Sequence, residues 1–176
     1  DCIAADSGSD DVGPIPLGSD TSTSPLAWQT HDLELMLVAS RELGVPMIIG
    51  SAGDTGANSR VDLYVRIIRE LAEKHRLPRF RLGYFYSEVA KVELVRRMNA
   101  GERVAGLEGH VDLTGSELDA TERIVAMAGV HPFIELLKQG ADDIIGGRSS
   151  DSCVFAAPAI FRGFPESQAY YLGKVL

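Results

Sequence analysis

The chain has 176 residues, 45% of them hydrophobic and 24% charged, with 17 basic against 25 acidic side chains and a formal net charge of −8. That is the composition of one globular domain, and its acidity argues against nucleic acid or an anionic membrane as the main partner. No apolar run approaches the roughly 20 residues a membrane-crossing helix needs, and neither Cys2 and Cys153 nor the four dispersed histidines show zinc-site spacing. Two cysteines without framework spacing fit reduced thiols and a cytoplasmic setting.

In chain order, residues 2–5 read as a short strand. It ends in Asp6-Ser7-Gly8-Ser9-Asp10-Asp11-Val12-Gly13-Pro14, a loop dense in carboxylates and hydroxyls. Residues 15–28 read as a long irregular connection, a feature that is usually functional or mobile. A helix follows over 31–44, with Gly44 and Pro46 as its stop. The run Val45 to Ile49 reads as a strand buried on both faces, and it breaks into Gly50-Ser51-Ala52-Gly53-Asp54-Thr55-Gly56-Ala57-Asn58. Glycines there would let backbone N–H groups approach an anion. Neither the P-loop lysine nor the GxGxxG spacing of nucleotide sites is present.

An amphipathic helix is predicted over 61–75, a strand over 80–86, a helix over 89–99 and a short extended segment over 104–107. The stretch 108–113 holds His110 between Glu108 and Asp112, a candidate general base or a plain surface histidine. Thr114 or Ser116 caps a helix over 117–128, and a shorter helix spans 133–139. The strand 141–146 runs into Gly147-Arg148-Ser149-Ser150-Asp151-Ser152, then into a small-residue helix over 153–161 and a closing helix over 167–176.

Strands alternate with helices, and hairpin signals are absent. The fold class is therefore α/β, a mostly parallel sheet with helices on both faces, Rossmann-like, in a single domain over 1–176; strand order stays open. The chain starts inside a strand and stops inside an uncapped helix, which reads as a piece of a longer chain. In open parallel sheets, ligands bind at the carboxyl ends of the strands. Three polar loops meet that rule. Asp6, Asp10 and Ser51 are the candidate catalytic groups. Ser7, Ser9, Gly50, Gly53, Asn58, Arg148, Ser149 and Asp151 are the candidate substrate-binding groups. Arg148 follows a glycine and can present a fork of donors to a carboxylate or phosphate. The aspartates have three uses: acid–base work, hydrogen bonds to a substrate, or oxygen ligation of a metal, for which magnesium is the possible cofactor.

The motifs Ala4-Ala5-Asp6-Ser7-Gly8-Ser9-Asp10-Asp11-Val12-Gly13-Pro14, Ile48-Ile49-Gly50-Ser51-Ala52-Gly53 and Gly147-Arg148-Ser149-Ser150-Asp151-Ser152 resemble those of the acyclic terpene utilisation (AtuA-type) family. The resemblance implies the N-terminal α/β part of a longer protein. It also implies catabolism of carboxylic acids, as free acids or as acyl-CoA thioesters, without supplying a reaction. The expected function is lyase- or hydratase-like proton transfer or addition–elimination on a small carboxylate or acyl-CoA. Arg148 would hold the anion, Asp6 or Asp10 would move the proton, and Ser51 with the backbone at Gly50 and Gly53 would stabilise an oxyanion. The alternative is a non-catalytic binding or scaffold subunit; either way an oligomer or a partner subunit is expected.

Overall fold

The structure, a computed structural model, describes residues 1–9 and 13–176. Among these residues one sheet has four strands, all parallel: β1 (Ile3–Gly8), β2 (Met47–Asp54), β3 (Leu82–Phe85) and β4 (Asp143–Gly146), in the order β1-β2-β4-β3. The described helices are α1 (Ile15–Ser19), α2 (Leu26–Leu43), α3 (Asn58–Lys74), α4 (Lys91–Asn99), α5 (Gly115–Ala120), α6 (His131–Lys138), α7 (Asp151–Phe161) and α8 (Glu166–Val175). No described helix is long and apolar enough to cross a membrane.

The period of two along β2 sorts its side chains onto two cores. Met47 and Ile49 meet Leu33 and Leu37 of α2 and Val61 and Ile68 of α3. Ile48 points the other way, onto Phe133 of α6 and Val154, Ala156 and Ala157 of α7. Each large apolar side chain so buried contributes about 1.5–3 kcal/mol relative to exposure. Small residues let α7 and α8 approach closely: a Cβ on Gly173 would lie 2.3 Å from the Ser152 carbonyl oxygen. Both cysteines are free thiols, and Cys153 is buried in this second core.

The chain leaves β2 toward α3 on one face of the sheet and leaves β4 toward α7 on the other. Since β2 and β4 are neighbours, the chain changes faces between them at their carboxyl ends. This is the switch point at which open α/β sheets take ligands.

Several elements depart from the sequence reading. The segment 15–28 contains α1 and the first turn of α2, which starts at Leu26 behind Pro25. The helix expected over 117–128 stops at Ala120, although its Thr114–Glu117 capping box is present. Beyond it the backbone turns to tertiary partners: Val125 bridges Glu88, and Ala128 donates its N–H to the Arg148 carbonyl at 2.9 Å. The extended segment 104–107 joins no sheet. The Leu113 N–H donates to the Val104 carbonyl within its own loop.

At the opposite edge of the sheet, Asp143 is fully buried and paired with Arg41 of α2 at 2.8 Å. The same carboxylate oxygen accepts the Met47 N–H at 3.0 Å, while Oδ2 has no partner. Burial outweighs the guanidinium and pushes the carboxyl up to about 6. A group raised in the folded state stabilises fully below its unfolded value, and that contribution is lost as pH rises through the folded value. Stability measured against Asp143→Asn, whose amide cannot ionise, should therefore fall by about 3 kcal/mol between roughly pH 4 and pH 7. Denaturant melts of both proteins across that range check it. A pH-independent difference would show that Asp143 titrates normally.

Candidate active site

The site is built on an irregularity in β2. Asp6 pairs with Gly50, yet Gly8 already pairs with Asp54, so β2 bulges between them. Ser51 (φ 45°) and Asp54 (φ 73°) both lie in the left-handed region. Such positions in residues other than glycine cost about 1–3 kcal/mol each and persist only when their surroundings hold them. For Ser51 the holding groups come from the loop after β4. Its N–H is shared between the Gly147 carbonyl and Ser149 Oγ, both at 3.2 Å. Its hydroxyl donates to the Ser149 carbonyl at 3.1 Å and accepts the Ser149 N–H at 3.2 Å.

This geometry revises several expectations. Ser51 and Ser149 are both fully buried and hydrogen-bonded to each other, so they stitch two loops together. The Gly50 Cα is covered: a Cβ there would sit 2.3 Å from Val154 Cγ2. At Gly53 the space is taken by the Arg60 side chain, 3.0 Å away. Neither glycine therefore opens the backbone to an anion; both admit packed neighbours. Asn58 lies at the start of α3, where its N–H donates to Glu88 Oε1 at 2.8 Å and its Oδ1 accepts the Glu88 N–H at 3.3 Å. It ties α3 to the loop after β3 and lines neither cavity described below.

What does converge is charge. A point 1.5 Å off the Gly8 Cα, where a Cβ would stand, lies 3.0 Å from both Arg148 Nη1 and Asp6 Oδ2, so both charged tips border the space over that glycine. Asp6 Oδ1 turns toward Gly50 and the start of α7, is buried and has no hydrogen-bond partner. Burial foremost, and then the Asp151 carboxylate, raise the pKa of Asp6, against the opposing pull of the Ser51 hydroxyl, the Gly8 N–H and last the Arg148 charge. Asp151 is exposed on the first turn of α7. The backbone of Arg148 is pinned from three sides. Its N–H donates to the Gly56 carbonyl at 3.2 Å, and its carbonyl accepts the Ser87 hydroxyl and the Ala128 N–H, both at 2.9 Å.

A strap crosses this centre. Asp54 Oδ2 accepts the Ser22 hydroxyl at 2.9 Å, the Thr23 hydroxyl at 2.7 Å and the Thr23 N–H. Burial raises the Asp54 carboxyl, but these hydrogen bonds outweigh it and hold the pKa below the ordinary value. Asp20, at the other end of the strap, is bound by Ser59 and Arg60 of α3 and by Arg123. Two cavities flank the strap. The smaller, about 220 Å³, is lined by Ser9, Asp54, Thr55 and Arg148 among others. The larger, about 570 Å³, lies between β1, α2 and α3 and includes Asp6, Ser7 and Ser9, with Ser7 Oγ 2.9 Å from the Tyr64 hydroxyl.

Asp10 lies outside the described residues. His110 is exposed in its own loop and lines neither cavity. Among the described residues no three His, Cys, Asp or Glu side chains gather as a metal-binding set, so magnesium has no ligand set among them. Two contributors went unread in the sequence: Gln29 and Tyr64. Gln29 did leave a signal, since it shares a helical stripe with Leu33, Leu37 and Ser40, all buried.

A parallel sheet with a bulged inner strand, and charged groups gathered at its switch point, defines an α/β protein with a candidate polar site at the carboxyl ends of its strands. The sequence model for "Acyclic terpene utilisation family protein AtuA" matches residues 24–174, and the chain belongs to that family. The family is associated with the utilisation of acyclic terpenes, a catabolic role. The matched segment contains the loops after β2 and β4; the Asp6 loop precedes it. No curated protein and no solved structure matches the chain.

Proposed function

We propose that the protein is a catabolic enzyme acting on a small carboxylate, or its acyl thioester, by proton transfer of the lyase or hydratase kind. The observation that carries this reading is Asp6: a carboxyl raised by burial, with one oxygen unpartnered, set against Arg148 at the switch point. In this reading Arg148 holds the substrate's carboxylate. Asp6 takes the proton from the adjacent carbon and gives it to the departing hydroxyl, which leaves as water; in the addition direction it takes a proton from the incoming water and gives it to that carbon, its raised pKa bringing it nearer to working pH than an ordinary aspartate. Asp151 keeps that value high. Ser7 and Ser9 offer hydrogen bonds along the cavity wall, and the strap held by Asp54 limits access of water.

The test is deuterium exchange. Short branched acids and their thioesters are incubated with the protein in heavy water, and loss of the α-proton signal is followed by NMR. Protein-dependent exchange supports the enzyme. Binding without exchange favours the alternative, a ligand-binding subunit of a larger assembly, which draws support from the exposed apolar side chains Phe164, Tyr171 and Val175.

Arg148→Lys separates anchoring from scaffolding. Lysine keeps the charge but loses the fork, so carboxylate affinity should fall roughly ten- to a hundredfold. Unchanged affinity with a lower melting temperature would make Arg148 an internal partner of Asp6 and Asp151.

A further inference from the structure

Among the described residues β3 is an outer strand of the sheet and pairs on one side only, with β4. The carbonyls of Arg81 and Phe85 accept the Asp142, Asp143 and Gly147 N–H groups, so these alternate residues turn their backbone toward β4. Leu82 and Tyr84 turn theirs to the open edge. Their side chains point to the α3 face, where Leu82 packs on the first core and Tyr84 is 42% exposed. A groove of about 360 Å³ runs between Tyr84 and the exposed side of α3. It shares Arg69 and Glu73 with a second groove of about 630 Å³, lined also by Leu77, Phe80 and Leu82. None of these residues lines the cavities beside the strap.

The charge beside this edge is mainly positive. Residues 66–81 carry six of the chain's 17 basic side chains and two of its 25 acidic ones. Arg66, Arg69, Arg76 and Arg79 are exposed, line the two grooves and make no ion pair among the described residues. Charges on an edge strand keep unwanted chains off, and here their common sign also selects. Pairing with a second copy through β3 would set these arginines against their own counterparts, whereas an acidic strand meets them with opposite charge.

We propose that the open edge of β3 is the docking site for an extended acidic segment of a partner protein, which adds a strand to the sheet and sets alternate carboxylates against Arg66 and Arg69. Main-chain hydrogen bonds to Leu82 and Tyr84 supply affinity, and the arginines supply the selection. The inference concerns a surface apart from Asp6 and does not depend on the proton-transfer reading.

The probe is a dye-labelled peptide alternating valine and glutamate, followed by fluorescence anisotropy. Alternate amides of a strand face opposite edges, so methylating the valine amides or the glutamate amides blocks one edge at a time. One methylated form should bind like the parent and the other roughly tenfold more weakly. Lysine in place of glutamate in the peptide should weaken binding by at least about tenfold, and so should Arg66→Glu combined with Arg69→Glu in the protein. Tyr84→Pro removes an N–H that faces the open edge and leaves the ladder to β4 in place, so it should abolish binding, while Tyr84→Thr should retain it. Circular dichroism confirms the fold of each variant, and the methylated peptides test the pairing without altering the protein. Equal binding of the two methylated forms would mean charge attraction without strand pairing, and it would overturn the proposal. So would equal binding of the lysine peptide, or no binding of the parent. A concentration-dependent dimer that Tyr84→Pro abolishes would overturn it in favour of a second copy. Displacement of the peptide by phosphatidylglycerol vesicles would overturn it in favour of a lipid surface.

Discussion

Asp6→Asn is expected to reduce α-proton exchange by about a hundredfold to ten-thousandfold, the range of a lost general acid–base group. Asparagine keeps the shape but cannot carry the proton. Stability should hold or rise slightly, because the change removes a desolvated carboxylate facing Asp151. The raised pKa sets the pH profile of the wild type. If Asp6 works as the base, activity falls as pH drops through its folded value, and that limb lies above the ordinary 3.8. If it works as the acid, activity extends to higher pH than an ordinary aspartate would allow. Exchange rates of both proteins against pH, with circular dichroism to confirm the fold, check this. Wild-type exchange in the variant would remove Asp6 from the chemistry.

Gly56→Ala is the most damaging single methyl group the structure identifies near the site. A Cβ there would stand 2.1 Å from the Arg148 N and 2.4 Å from its Cα, backbone atoms that cannot turn aside. Gly56 also has φ 65°, where an L-residue costs about 1–2 kcal/mol. Gly44 has the same φ, but open space where the Cβ would go. Gly44→Ala therefore carries the conformational cost alone, and the difference between the variants isolates the contact. Overpacking of this kind adds about 1–3 kcal/mol. A domain of this size loses about 2–4 °C per kcal/mol, so Gly56→Ala should melt on the order of 10 °C lower and Gly44→Ala only a few degrees lower. Because Gly56 touches the backbone that carries Arg148, carboxylate binding should fail in the first variant and survive in the second. Equal melting temperatures would mean that the two loops separate easily.

The sequence by itself determined the α/β class, because burial on two faces and on one stripe leaves different periods, visible in Val45 to Ile49 and in Val61, Tyr64, Val65, Ile68 and Leu71. It also determined that the loops at Asp6, Ser51 and Arg148 share one edge, since parallel strands set all their carboxyl ends together. A cap at Thr114 or Ser116 was legible because such caps are local, and the structure places it at Thr114 with Glu117. Only the tertiary structure decided which strands are neighbours. The order β1-β2-β4-β3 turns Ser51 and Ser149, 98 residues apart, into a buried pair, and it turns Gly50 and Gly56 into packing sites. It also draws residues 125–128 out of a helix, because hydrogen bonds to Ser87 and Arg148 replace the ones the helix would have made. Gln29 reads as a polar residue in a buried stripe, but its unsatisfied oxygen arises only when Ser22 and Ser24 of the strap occupy its amide nitrogen. Local periodicity reports whether a side chain is buried. What it is buried against depends on contacts between residues far apart in the chain, and those leave no periodic mark.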